Sequence, residues 1–154
     1  MIVRPYRAAD AEAIVRLFYD AVHAVEDAHY SAAERAAWAP VPPDPERWHR
    51  RMTQRRTLVL EAEGEVLAFA ELEPDGHLDM FYCRPDRQRQ GIGTQLYAAV
   101  EAAARGAGMP LLTVEASRPG RGFFERQGFR LLRWQTVVRE GIALVNFRME
   151  KRLA

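Results

Sequence analysis

Residues 78–116 limit the fold most, because a strand, a glycine loop, a helix and a second strand follow one another without interruption. Residues 78–83 are short and mostly apolar. Ile92, Leu96, Val100 and Ala103 recur on one helical face, and Gly106 and Gly108 end that helix. Residues 111–116 are again strand-like. Two such strands joined through a helix pair in parallel by a right-handed crossover. The rest of the chain must build outward from that central βαβ unit.

The flanking sequence reads as antiparallel strands and short helices. Residues 2–6 predict a first strand. Asp10 is placed to cap a helix carrying Ile14, Leu17, Phe18, Ala21, Val22 and Val25 at helical spacing. Ser31 and Glu34 form a capping-box pattern for a short helix through Trp38. "APVPPDP" is a loop, and Asp44 followed by Pro45 starts a third helix. Residues 57–63 and 65–73 predict a hairpin at Gly64, and "EPDGH" predicts a turn. A compact helix over 120–127 stops at Gly128. "FRLLRWQTVVRE" and "IALVNFRMEK" form a closing hairpin at Glu140-Gly141. This order predicts one α/β domain over 1–154. Its sheet is mixed and mostly antiparallel, of about seven strands, with helices on both faces.

Composition excludes several functions. A net charge of +1 rules out the overall basic field of a nucleic-acid binder, so any anion site is local. The single cysteine, Cys83, can form no internal bridge, and no Cys/His spacing suggests a metal. A reducing cytoplasm is the expected compartment. Met1 to Arg7 carries two arginines and no long apolar core, so a secretory leader is not expected, and no run nears the ~18 apolar residues of a membrane span. Arginine outnumbers lysine 21 to 1, and arginine forks suit phosphates and carboxylates.

"RPDRQRQGIGTQLY" places a basic, glycine-rich loop where a strand ends and a helix begins. Unpaired N–H groups and the helix dipole favour an anion there. Gly91 and Gly93 permit close approach of a ligand to the backbone. No Gly-Lys-Ser/Thr follows, so this is not a phosphate-binding loop of the Walker type, and the dinucleotide GxGxxG pattern is absent. Taken alone, the loop is either a diphosphate cradle or a helix start on a solvated basic surface.

The stretch Gln88-Arg89-Gln90-Gly91-Ile92-Gly93, after "FYCRPD", resembles the signature of the GCN5-related N-acetyltransferase superfamily. "SRPGRGFFERQGF" resembles its second landmark, a helix closing on an aromatic pair before Gly-Phe. The order of elements is similar over essentially the whole chain. The resemblance implies the acyl-CoA N-acyltransferase fold, with acetyl-coenzyme A as cofactor. Gln88, Arg89, Gln90, Gly91, Ile92, Gly93 and Thr94 would hold its pyrophosphate. The backbone of Phe81 and Cys83 would hold the pantetheine arm, in a gap beside the strand ending at Cys83. Ser117 would bond the cofactor and Arg121 reach its phosphates. Phe124 stands where many members carry a tyrosine that acts as acid, so either Tyr82, Tyr30 or water takes that role or the thiolate leaves unassisted.

Strand alternation predicts that His77, Asp79, Phe81 and Cys83 share one face. By the resemblance, His77 and Asp79 hold places used for a base. A neutral imidazole is the natural proton acceptor near neutral pH. His29, Tyr30, Trp38 and Trp134 are the candidates for the acceptor wall. No dense acidic cluster stands out along the chain. Arg47, Arg50, Arg51 and Arg55 fall roughly on one helical face, expected to be solvated, with an anionic acceptor or acidic partner as the alternative. The function implied is acetyl transfer to a primary amine of a small molecule or peptide, with acyl-CoA sensing without catalysis as the alternative. Neither a nucleic acid nor a membrane is an expected partner. A homodimer through the final hairpin is, by family resemblance.

Overall fold

The computed structural model describes residues 1–87 and 89–154. It contains β1 (Ile2–Pro5), α1 (Ala11–His23), α2 (Ala32–Trp38), α3 (Pro45–Met52), β2 (Arg56–Ala62), β3 (Glu65–Leu72), β4 (His77–Cys83), α4 (Ile92–Gly106), β5 (Leu111–Ala116), α5 (Arg118–Arg126), β6 (Arg130–Arg139) and β7 (Ile142–Arg152). The strands form one seven-stranded sheet ordered β1-β2-β3-β4-β5-β7-β6. Among the described residues only β4 and β5 pair in parallel. This is the mixed sheet that the strand-helix-strand unit demanded.

Both faces are covered. Leu60, Leu72, Leu78, Leu96, Val100, Leu112, Phe124 and Met149 form a core beneath α4 and α5. Ile14, Phe18, Val22, Trp48, Val59 and Phe69 form another beneath α1 and α3. Burial on two faces explains why "VLAFAEL" in β3 is nearly continuous in apolar residues rather than alternating.

Asp10 departs from the expected capping role, for its side chain makes no bond into α1. Its carboxylate accepts from the Arg4 guanidinium at 2.8 and 2.9 Å and from the Arg7 N–H at 2.8 Å. Burial opposes its ionisation, but these bonds outweigh burial and hold the carboxyl below its usual range. The pair ties β1 to the start of α1 with side chains only 9% and 8% exposed. Arg4→Leu strands the Asp10 charge and is expected to cost about 3–5 kcal/mol in urea unfolding.

A second tie fastens the end of the chain. Lys151 Nζ donates to Glu101 Oε1 at 2.6 Å and to the Gln127 carbonyl at 2.8 Å. The Lys151 bond, against burial and with help from Tyr97 and Arg105, lowers the Glu101 carboxyl to about 2. A folded-state value below the unfolded one gives stability present above about pH 4.5 and lost as pH falls toward 2. The stability gap between wild type and Lys151→Met, measured by urea titration, should therefore be full at pH 6 and nearly closed at pH 2.

Candidate active site

β4 and β5 touch at one end only, where His77 pairs with Thr113 and Leu78 with Val114. The Gly76 carbonyl also accepts the Thr113 N–H at 3.0 Å. A Cβ at Gly76 would lie 2.1 Å from the Leu111 carbonyl oxygen, so the pinch requires glycine. Beyond Leu78 the strands lose their pairing. The Arg84 N–H bonds back to Leu67 on β3 at 2.8 Å. Alternation then turns the N–H and C=O groups of Phe81 and Cys83 the other way, into the gap.

The N-terminus of α4 stands at the open end of this gap. Gly91 is its N-cap, in the left-handed region with φ 77°. The first turn is closed by Gln95 N–H to the Gly91 carbonyl at 3.0 Å, so the N–H groups of Ile92, Gly93 and Thr94 have no partner within the helix. A Cβ at Gly91 would meet nothing within 4 Å, whereas one at Gly93 would lie 3.2 Å from the Phe123 ring and 3.8 Å from Cys83 Sγ. Gly91 thus keeps ligand space open, and Gly93 lets the helix start sit against β4 and α5. No acidic side chain occupies the first turn. Free donors at a positive helix end fit a diphosphate. The Ile92 side chain is core, leaving only its backbone to the loop. Arg89 and Gln90 are exposed beside the glycines. Gln88 lies outside the described residues.

β4 is irregular at Asp79. Leu72 pairs with Leu78 and Glu71 with Met80, which leaves Asp79 as an extra residue. The expected common face for His77, Asp79, Phe81 and Cys83 is therefore wrong. His77 and Asp79 join Met80 and Tyr82 along a cavity on the α1–α2 side, while Phe81 and Cys83 pack toward α4 and α5. Simple alternation cannot express an inserted residue.

That cavity measures about 370 Å³. His77 Nδ1 lies 3.0 Å from Thr113 Oγ1. Its Nε2 lies 3.8 Å from Asp79 Oδ1 and 4.0 Å from Glu115 Oε1. Two arginines hold Asp79. Arg51 donates to Asp79 at 2.6 Å and to Glu71 at 2.8 Å, and Arg55 donates to Asp79 at 2.6 Å and reaches Glu73 at 3.2 Å. Arg51 and Arg55 thus turn inward rather than into solvent. Burial pushes the Glu71 carboxyl above its usual range, opposed by Arg51 and Arg55. The acidic cluster absent from the linear chain is assembled here from residues on and beside three strands.

The other candidates divide. Tyr30 and Trp38 line the cavity, and their rings meet edge-on at 5.5 Å. The Tyr30 hydroxyl donates to the Val145 carbonyl at 2.6 Å and accepts the Arg118 N–H at 3.0 Å, tying α5 to β7. Ser117 also lines the cavity, with its Oγ accepting the Gly120 N–H at 3.1 Å as the cap of α5. Arg121 bonds Glu125 at 2.7 Å and lies over the Phe147 ring. Phe124 is buried against Phe81, Phe123 and Phe129. Tyr82 sits among Phe18, Phe69 and Trp38, and burial pushes its hydroxyl far above the usual range. Burial likewise raises the Cys83 thiol to about 11, which leaves little thiolate at neutral pH.

His29 and Trp134 are not among the cavity-lining residues. His29 contributes its carbonyl to Arg118. Trp134 is 65% exposed on the edge strand β6. Gln135, which bonds Glu115, shares the inward face with Val137 and Arg139, so Trp134 takes the opposite face. Sequence reading missed Gly76, Glu71, Glu115 and Asn146. Glu71 carried a signal, a carboxylate within an apolar strand that must find a buried partner.

A splayed parallel pair facing a glycine-rich helix start defines an acetyltransferase architecture, and the family model of the acetyltransferase (GNAT) domain matches residues 26–151. The chain belongs to that family of GCN5-related N-acetyltransferases. It is 27% identical over 147 residues to the Escherichia coli (strain K12) protein named uncharacterized N-acetyltransferase YafP, covering 96% of this chain and 93% of that one. A Rhodopseudomonas palustris structure described as a GCN5-related N-acetyltransferase, aminotransferase class-II, shares 33% identity and a TM-score of 0.92 over 99% of this chain and 95% of that one. The PaiA N-acetyltransferase of Thermoplasma acidophilum, solved in complex with coenzyme A, shares the fold at TM-score 0.80 and 17% identity, with 98% of each chain covered. No helix among the described residues is long and apolar enough to cross a membrane.

Proposed function

We propose that the protein uses acetyl-coenzyme A to acetylate a primary amine of a small molecule or peptide, the amine attacking the thioester directly. The observation that carries this reading is the gap between β4 and β5, which lies between the α4 loop and the polar cavity. The backbone of residues 89–94, with the Arg89 and Gln90 side chains, would hold the diphosphate. The backbone of Phe81 and Cys83 would hold the pantetheine arm. When bound, the cofactor supplies an acetyl group already activated as a thioester.

His77 acts as the base, taking the amine proton at Nε2 while Thr113 holds the ring through Nδ1. Asp79 is a weaker candidate because Arg51 and Arg55 both occupy its Oδ2. A backbone N–H of β4 facing the gap serves as donor to the thioester oxygen. Tyr82 holds its proton too firmly to be an acid and acts as a hydrogen-bond donor. Phe124 can supply no proton, so α5 would offer no acid to the leaving thiol. Cys83 is a neutral wall rather than a nucleophile. The exposed apolar side chains Leu131, Leu132, Trp134 and Val138 on the β6 edge suit a second copy of the chain. A reducing cytoplasm suits the lone thiol.

Isothermal calorimetry with coenzyme A and a thiol-release assay over an amine panel test the proposal. Micromolar or tighter binding with thiol release is expected. Binding without release across the panel would favour acyl-CoA sensing, the reading Phe124 invites. Absence of binding removes both.

A further inference from the structure

Four arginines line the acceptor cavity or bond a carboxylate that lines it, and three are already matched. Arg55 is bound to Asp79 and Glu73. Arg51 is bound to Glu71 and Asp79, and Arg148 Nη1 lies 3.4 Å from Glu115 Oε1. Arg139, an exposed residue at the rim, lines the cavity without any carboxylate partner among the described residues. Its guanidinium donates to the adjacent Val138 carbonyl at 3.2 Å. A second group is also unmatched. Asn146 lines the cavity, and its Oδ1 is shielded from solvent with no hydrogen-bond partner. A buried acceptor left without a donor is costly, and an amine or amide N–H would satisfy it.

Strand register orders these groups. Arg139 pairs with Ile142, Val137 with Leu144, Gln135 with Asn146, and Glu115 with Arg148. Along β7 the wall therefore runs from a cation, through apolar Val137 and Leu144, to the Asn146 acceptor and the Glu115 carboxylate. From Ile142 to Arg148 the strand rises about 20 Å. The two charges of an α-amino acid sit on neighbouring carbons and cannot bridge such a wall.

We propose that the acceptor is a primary amine whose far end carries an anionic group across an apolar middle, and that Arg139 selects it. This rests on the acetyl-transfer reading above. The amine lies toward His77, Asn146 and Glu115, and the anion pairs with the Arg139 fork.

The test compares kcat/KM, by thiol release, for ω-aminooctanoate, neutral ω-aminooctanamide, ω-aminooctyl phosphate and leucine. Wild type should prefer the carboxylate over the amide by ~2–5-fold, mainly through KM, as one pair to an exposed arginine provides. Arg139→Gln should bring that ratio near one, and Arg139→Lys should recover part of it. Arg152→Gln, an exposed arginine at the other end of β7, should keep the wild-type ratio. A phosphate preferred over the carboxylate supports the proposal and identifies the anion. Turnover of the amide or leucine as fast as the carboxylate overturns the proposal and leaves acetyl transfer standing. If no amine is turned over while coenzyme A still binds, both readings fall.

Discussion

Replacing His77 with asparagine should lower kcat by ~10²–10⁴-fold, the usual contribution of a positioned base. The loss should fall on kcat rather than on KM for the amine, because asparagine keeps a polar group toward Thr113. His77 opens β4 with Nδ1 3.0 Å from Thr113 Oγ1, while Nε2 stands 3.8 Å from Asp79 and 4.0 Å from Glu115, too far for a hydrogen bond and open to a proton. The pinch at Gly76 fixes that position. In the variant the pH dependence of kcat should be the one set by the acceptor amine alone. A variant with wild-type kcat would move the base elsewhere, with Glu115 the next group to test.

Placing valine at Gly91 should weaken coenzyme A binding by at least ~10²-fold, measured by calorimetry. Two effects act together. Gly91 has φ 77°, where an L side chain costs roughly 1–2 kcal/mol. A Cβ there, at the N-cap of α4, also enters space that no described residue beyond its chain neighbours occupies within 4 Å. Losing even one or two charge-assisted bonds at ~1.5–3 kcal/mol each accounts for the predicted loss. Asparagine separates the effects, since it tolerates left-handed backbone. Gly91→Asn should keep the melting temperature near wild type and still lose affinity. Unchanged binding in both variants would show that no ligand approaches the backbone at this point.

The cofactor side was legible in the sequence because its determinants are local. Gly91 and Gly93 encode a helix start, and the apolar run before them encodes the strand that ends beside it. Both motifs lie within a few residues of the backbone groups they control. The acceptor side was not legible, and each miss has a distinct physical origin. Asp79 is an inserted residue in β4, and only the pairing of Glu71 with Met80 shows it. Arg51 sits on a short amphipathic helix whose basic face looked solvated. Its carboxylate partners lie 20 and 28 residues away in sequence. Trp134 looked like a pocket aromatic, and the register of β6 places it on the outer face.

By itself the sequence determined the order of elements, the parallel central pair and the family. Those follow from hydrophobic periodicity and from glycines that act on their own neighbourhood. Only the tertiary structure decided which charges meet. Glu71, Asp79, Glu115, Arg51 and His77 are brought together by sheet pairing and by the packing of α3 on α1, through contacts that no spacing along the chain records. The same holds for Arg139, which has no carboxylate partner among the described residues while Arg51, Arg55 and Arg148 at the cavity have theirs.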